Sequence, residues 1–272
     1  MKQRGVALIV LGLAAGAGCR TASNHTDALG PRYAGTPAAV ALPATTGAPD
    51  ALRLVTFNIQ FAKHVDRAIE VLNAGEPLQG ADIITLQEMD ADGTRRIADA
   101  LGMAYVYDPA VLHRRTRRDF GNAILSRWPI VEDRKVILPH LARFENTQRV
   151  ATAATVLVGD VAVRVYSVHL ATWVEVGPGA RRDQVQAILA DARPYERVIV
   201  SGDMNSYGIG AAFQVAGYRW PTEHNPATDR WFKWDHIFLK GLDAPERDST
   251  GVFRETRGAS DHRPVWAVIP GP

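Results

Sequence analysis

Val198-Ile199-Val200-Ser201-Gly202-Asp203-Met204-Asn205-Ser206 is the stretch from which the rest of the chain can be read. An apolar, β-branched run over Arg197–Ser201 predicts a strand, and glycine follows it at once. Asp203 and Asn205 come next, two residues apart and therefore on one side of an extended chain. Burial does not explain polar side chains at a strand end where loops converge. A carboxylate and an amide so placed can hold a water or a phosphate oxygen.

The same grammar repeats outward from this strand. β-Branched or alternating runs predict strands over Leu52–Asn58, Asp82–Gln87, Asn122–Ser126, Ala151–Val158, Ala162–His169, Trp234–Leu239 and Pro264–Ile269. Helical stretches are expected over Val65–Asn73, Gly93–Leu101, Gly179–Ala192 and Gly208–Ala216. The two strands separated by Gly159-Asp160 form a hairpin on this reading. An antiparallel element mixed with helix-bearing crossovers favours mixed sheets covered by helices over a purely parallel sheet.

Several of these strands also end in a side chain capable of chemistry. Asn58 follows Leu54-Val55-Thr56-Phe57, Glu88 follows Ile83-Ile84-Thr85-Leu86-Gln87, and His169 ends Val165-Tyr166-Ser167-Val168. Asp235 stands at the entrance of Trp234-Asp235-His236-Ile237-Phe238, and Ser260-Asp261-His262-Arg263-Pro264 precedes the last strand. Singly, Asn58 and Glu88 read as turn or cap residues, and His169 as a satisfied structural imidazole. An adjacent Asp-His pair offers one carboxylate for a metal and one imidazole for a proton.

Taken in order, Thr56-Phe57-Asn58, Leu86-Gln87-Glu88, Gly121-Asn122-Ala123-Ile124-Leu125-Ser126, Ser167-Val168-His169, Gly202-Asp203-Met204-Asn205, Trp234-Asp235-His236-Ile237 and Ser260-Asp261-His262 make a set. That set resembles the motifs of the endonuclease/exonuclease/phosphatase (deoxyribonuclease I-like) superfamily, from Leu52 to Ile269. Arg149 and Gln184 also fall where many members carry Arg and Gln, although a surface ion pair and a solvent-facing helix position would account for them equally.

The resemblance implies an α/β (α+β) fold, a four-layer α/β/β/α sandwich of two mixed β-sheets flanked by helices, with an active site at one rim. It implies a metal-dependent hydrolase of phosphate esters, most simply a phosphodiesterase. Glu88 looks like the principal metal carboxylate, with Asn58 and Asp261 close to the ion or its water shell; oxygen ligands suit Mg2+, with Mn2+ or Ca2+ as substitutes. His262, oriented by Asp235, resembles the general base, and His169 and Asn205 the groups that hold the scissile phosphate. Asp203 either positions the nucleophile or supplies the leaving-group proton. Arg149 and Asn122 are expected to touch the substrate phosphate. The alternative is a catalytically inactive module that binds a ligand or partner on the same rim, which has no physical need for all eight of Asn58, Glu88, His169, Asp203, Asn205, Asp235, Asp261 and His262.

Composition narrows the setting. With 272 residues, 46% of them hydrophobic, the chain can bury a core, and its net charge of +2 lacks the strongly basic signature of a dedicated nucleic-acid binder. The single cysteine, Cys19, excludes an intramolecular disulfide and a cysteine-based structural zinc site. Lys2 and Arg4 before the apolar run Val6–Ala15 read as a signal peptide over residues 1–19, too short to span a bilayer comfortably. It ends in Ala17-Gly18-Cys19, which resembles a bacterial lipobox, although Gly16 stands where that pattern has a large aliphatic residue. The expectation is a monomeric, lipid-anchored cell-envelope protein facing the periplasm or exterior, with lipidation at Cys19; ordinary signal-peptidase cleavage would instead secrete it. Residues 20–50, rich in Ala, Thr, Pro and Gly, read as a disordered tether, and 51–270 as one domain.

The substrate stays open between nucleic acid and a lipid headgroup. His113-Arg114-Arg115-Thr116-Arg117-Arg118 could contact phosphates of either kind, or be a solvated loop. Trp173, Trp220, Trp231 and Trp234 could stack on bases, sit at a lipid interface, or belong to the core.

Overall fold

The computed structural model describes residues 22–37, 47–114 and 116–271. The expected signal peptide and Cys19 lie outside these residues, as does part of the expected tether. The elements are β1 (Ser23–Asn24), β2 (Tyr33–Gly35), β3 (Ala51–Asn58), α1 (Val65–Leu72), β4 (Ile83–Met89), α2 (Ala91–Leu101), β5 (Ala104–Leu112) and β6 (Asp119–Ser126). They continue with β7 (Ile130–Leu141), β8 (Gln148–Val158), β9 (Val161–His169), α3 (Pro178–Ala192), β10 (Val198–Asp203), α4 (Gly210–Val215), β11 (Asp235–Lys240), β12 (Thr250–Val252) and β13 (Val265–Pro270).

The strands make two sheets. One runs β1-β5-β6-β4-β3-β13-β12, with β2 also on β5; the other runs β11-β10-β9-β8-β7. In each sheet one pair is parallel, β3 with β4 and β9 with β10, and the remaining pairs are antiparallel. Both sheets are therefore mixed, and the hairpin expected at Gly159-Asp160 joins β8 to β9.

Pleating sorts the side chains into three apolar layers. Val55, Phe57, Ile84 and Leu86 pack under α1 and α2, and Tyr166, Val168, Val198 and Val200 pack under α3 and α4. Leu52, Leu54, Ile83, Val163, Val165 and Ile199 meet between the sheets. Three cores imply four layers, the sandwich that the motif set implied.

Two long strands, β5 and β7, were not expected. Each carries a proline, Pro109 and Pro139, that argues against a strand on sequence grounds. Each accommodates it at a register shift, between Pro109 and Val111 in β5 and between Ile137 and Leu141 in β7. Opposite the first bulge stands Gly121, where an added Cβ would lie 2.1 Å from the Asp108 carbonyl oxygen.

The disordered tether expected over residues 20–50 is corrected for its described part. β1 and β2 pair antiparallel with β5. Between them the chain arches over β7, where Lys135 Nζ donates to the carbonyls of Gly30 and Pro31, both at 3.0 Å. Composition alone hid these strands because they are two and three residues long and borrow their order from β5 and Lys135. No helix among the described residues is long and apolar enough to cross a membrane.

Candidate active site

The alternation that sends Val163, Val165 and Ile199 between the sheets sends Ser167, His169, Ser201 and Asp203 the same way further along β9 and β10. Directly beneath the strand ends lies a buried polar layer. Thr85 and Ser201 share a hydroxyl bond of 2.8 Å across the sheets, and Gln87 Nε2 donates to Ser167 at 3.1 Å. This layer ties β4 to β9 and β10 and sets the height at which the reactive groups emerge.

Asp203 stands opposite His169 on one side and Asp235 on the other. Gly202 makes this possible: its φ of 143° and the 1.9 Å that would separate a Cβ from the Val168 carbonyl oxygen leave room for hydrogen alone. His262 reaches the same point from the other sheet, since β13 begins opposite Thr56 of β3. Its Nδ1 bonds Asp235 Oδ2 at 2.8 Å, and its Nε2 is 3.7 Å from Asp203 Oδ2. His169 Nε2 faces the same oxygen at 3.4 Å.

Glu88 owes its position to a β-bulge. The register of β4 on β6 shifts between Leu86 and Met89, and Glu88 takes a φ of 58°. Its carboxylate accepts from Asn58 Nδ2 at 3.2 Å and from the Phe61 amide at 3.0 Å. Asn58 Nδ2 also reaches Asp203 Oδ2 at 3.1 Å, and Asn58 Oδ1 accepts from the Gln60 amide at 3.0 Å. Gln60, Phe61 and Ala62 all have positive φ, a left-handed run that non-glycine residues hold only when their surroundings impose it. Gln60 in turn donates to Asp261 Oδ2 at 2.8 Å.

Crowding buried acids with two imidazoles perturbs Glu88, Asp203, His169 and His262. Burial pushes Glu88 above the ordinary carboxylate range, with Asn58 opposing it. Burial likewise raises Asp203 to about 7, against the pull of His262. Burial would lower His262, but Asp235 and Asp203 outweigh it and hold its pKa well above 6.5. His169 moves the other way, well below 6.5, because burial, Arg149 and His262 all disfavour its cation.

Eight of the expected residues are thus gathered: Asn58, Glu88, His169, Asp203, Asn205, Asp235, Asp261 and His262. Asn205, in a left-handed conformation at φ 48°, donates its side-chain amide to the Leu170 carbonyl at 2.9 Å. Asn58 turns its Nδ2 toward Glu88 and Asp203 and its Oδ1 toward the Gln60 amide. Asn122 needs correction as a phosphate contact. It is buried, and its Nδ2 donates to the Val150 carbonyl at 2.7 Å, bracing the two sheets. Arg149 spends its guanidinium on Glu175 at 2.9 Å and on His169 Nδ1 at 3.1 Å. Gln184 is fully buried, not solvent-facing, and links the Ala171 amide to the Pro139 carbonyl.

Sequence reasoning missed Gln60, the Phe61 amide and Glu175. Only the last left a signal, an acid in the loop after His169. Of the tryptophans, Trp173 and Trp231 are exposed, Trp220 is buried, and Trp234 stacks on Phe232 with ring centroids 4.8 Å apart. In the basic run, Arg118 is paired with Asp90, and His113 is packed against Phe61. A cleft of about 130 Å³ lined by Phe61, His113, Phe120, Gln148, Arg149 and Glu175 adjoins the cluster.

Residues 55–262 match the profile of the Endonuclease/Exonuclease/phosphatase family. The chain belongs to this family. No curated protein sequence matches it. Solved structures do: a conserved Enterococcus faecalis V583 protein of unknown function is 15% identical with a TM-score of 0.65, over 81% of this chain and 100% of that one. Sphingomyelinase C from Streptomyces griseocarneus is 18% identical with a TM-score of 0.59, over 81% and 99% of the two chains. D. rerio TDP2 complexed with a single-strand DNA product is 16% identical with a TM-score of 0.61, again over 81% and 99%. At these identities the likeness is one of fold, and the family's shared architecture is what the two sheets and their helices reproduce.

Proposed function

We propose that the chain is a divalent-metal-dependent hydrolase of phosphate esters, most simply a phosphodiesterase acting outside the cytoplasm. The observation that carries this reading is the meeting of Glu88, Asp203, Asp235, His169 and His262 at one rim, from both sheets. Family membership supports it. So do neighbours of the same fold, one a sphingomyelinase and one complexed with a DNA product.

The residues fit a hard divalent cation. Asp261 adds like charge against Glu88, and Asp235 Oδ1 is buried without a partner. Asp203, Asp235 and His262 bring ligand atoms within 4.8 Å of one another, but Asp235 and His262 already bond each other, so that pair is better suited to proton transfer. Glu88 and Asp261 would hold the ion, with Asn58 fixing the Glu88 carboxylate. Magnesium is the expected ion, manganese or calcium the substitutes. Bound there, it would neutralise the phosphate and polarise its phosphorus-oxygen bonds.

The side chains divide the remaining work. Asp203 and His262, both with raised pKa and 3.7 Å apart, hold a proton between them near neutral pH. Hydrolysis uses the form in which that proton is on Asp203. As a water oxygen bonds to phosphorus, His262 Nε2 takes the water's proton, and Asp235 stays ionised to stabilise the imidazolium. The Asp203 proton passes to the leaving oxygen as its bond to phosphorus breaks. His169 and Asn205 face the phosphate.

The leader sequence supports an extracytoplasmic site of action, with a lipid on Cys19 as the anchor. Hydrolysis of bis(p-nitrophenyl) phosphate should require magnesium and stop on chelation, and a parallel screen of DNA, RNA, sphingomyelin and inositol phosphates should name the substrate. Folded protein that cleaves none of these in any divalent metal would end the hydrolase reading.

A further inference from the structure

Two imidazoles flank one oxygen, Asp203 Oδ2, yet their outer nitrogens meet opposite partners. His262 Nδ1 meets a carboxylate, Asp235, at 2.8 Å. His169 Nδ1 meets a guanidinium, Arg149 Nη1, at 3.1 Å. A carboxylate only accepts, so His262 carries its proton on Nδ1 and leaves Nε2 free to take another. A guanidinium only donates and does not lose its charge in proteins, so His169 Nδ1 must accept and its single proton must sit on Nε2.

Resting on the hydrolase reading, we infer that Arg149 and Glu175 are positioning residues that lock His169 as a neutral Nε2–H donor toward the substrate phosphate. The two histidines are then not interchangeable: His262 is the proton acceptor and His169 a fixed hydrogen-bond donor. The lock is itself held. Glu175 takes Arg149 Nη2 on both carboxylate oxygens, at 3.0 and 2.9 Å, and its own carboxylate accepts from the Thr172 amide at 2.7 Å. Phe120 closes the third side, with the Arg149 guanidinium 5.4 Å from its ring centroid and the His169 ring 5.7 Å away. On this proposal Arg149 acts on the phosphate through His169. A neutral donor can strengthen its bond as charge develops on a phosphate oxygen without ever competing for the proton that His262 removes.

The test is a long-range 1H–15N correlation spectrum of histidine-labelled wild-type protein, with and without magnesium. His169 should show a pyridine-like Nδ1 and a protonated Nε2; a protonated Nδ1 in the wild type, alone or with Nε2, would overturn the proposal. Arg149→Met should populate both tautomers, and Arg149→Lys, which restores a donor, should return the spectrum toward wild type. In hydrolysis, Arg149→Met should lower kcat by about tenfold or more with KM changed by less than about threefold. A raised KM with unaltered kcat would make Arg149 a direct phosphate contact and sink the idea. Should Arg149→Met fail to fold, Glu175→Gln loosens the same lock and the wild-type spectrum decides alone. Absence of all hydrolysis would refute the hydrolase reading and leave the tautomer result standing.

Discussion

The layer between the two sheets has two ends built from the same strands. At the far end β3, β4, β9 and β10 contribute Leu52, Leu54, Ile83, Val163, Val165 and Ile199, and the contacts are wholly apolar. Toward the rim the same strands contribute Thr56, Thr85, Gln87, Ser167 and Ser201, then Asn58, His169 and Asp203. Apolar packing is strong but weakly directional, so the far end supplies stability and tolerates small shifts. Buried hydroxyls and amides are satisfied in few arrangements, so the polar end trades some of that stability for a fixed register under the reactive groups. One interface thus does two jobs in sequence along its length.

The comparison breaks cleanly if mutations at the two ends affect different measurements. Glu88→Gln should cut turnover by about a hundredfold or more while leaving thermal unfolding near that of wild type. Ile83→Ala, at the apolar end, should cost about 2–4 kcal/mol in denaturant titration yet leave turnover per folded molecule nearly unchanged. Coupled losses in both measurements for either mutant would mean that the two ends are not separable.

A second prediction uses Asp108, two residues along β5 from Val106 and on the same face of the strand. It is buried, one carboxylate oxygen lacks a partner, and burial pushes its pKa up to about 6 from 3.8. A carboxyl whose folded pKa is raised stabilises the protein fully below its unfolded value and loses that contribution as pH rises through the folded one. Stability should therefore fall between about pH 4 and pH 6 by about 2–3 kcal/mol from this group. Asp108→Asn should flatten that part of the pH-stability curve; an unchanged slope would show that Asp108 ionises freely.

The smallest effect sharpens the contrast most. Ser201→Ala alone strands the Thr85 hydroxyl and should cost about 1–2 kcal/mol, whereas Thr85→Val with Ser201→Ala removes both partners and should recover most of that stability. Turnover should not recover with it if the hydroxyl pair serves position more than stability. Full recovery of both would make the polar layer ordinary packing.

The parts of this arrangement that follow strand alternation were legible in the sequence. The eight gathered residues sit at the ends of apolar runs or at the entrance to one, and one rule finds most of them. What escaped depends on irregular backbone. The bulge that turns Glu88, the left-handed run at Gln60–Ala62 and the shifts around Pro109 and Pro139 obey tertiary contacts, not local preference. The partners of Arg149 and Asn122, namely Glu175, His169 and the Val150 carbonyl, were not legible, because a side chain's partner on another strand or loop is invisible in a linear pattern. The burial of Gln184 escaped for the same reason: nothing in its helix announces that Pro139 of β7 and the loop at Ala171 close over it.

The short N-terminal strands have a bearing on orientation. Asn24 Oδ1 accepts from the Gln148 amide at 2.8 Å, and its Nδ2 donates to the Asn146 carbonyl at 2.7 Å. Gln148 is the immediate neighbour of Arg149, so the polypeptide enters the domain within a few ångströms of the cleft that borders the reactive groups.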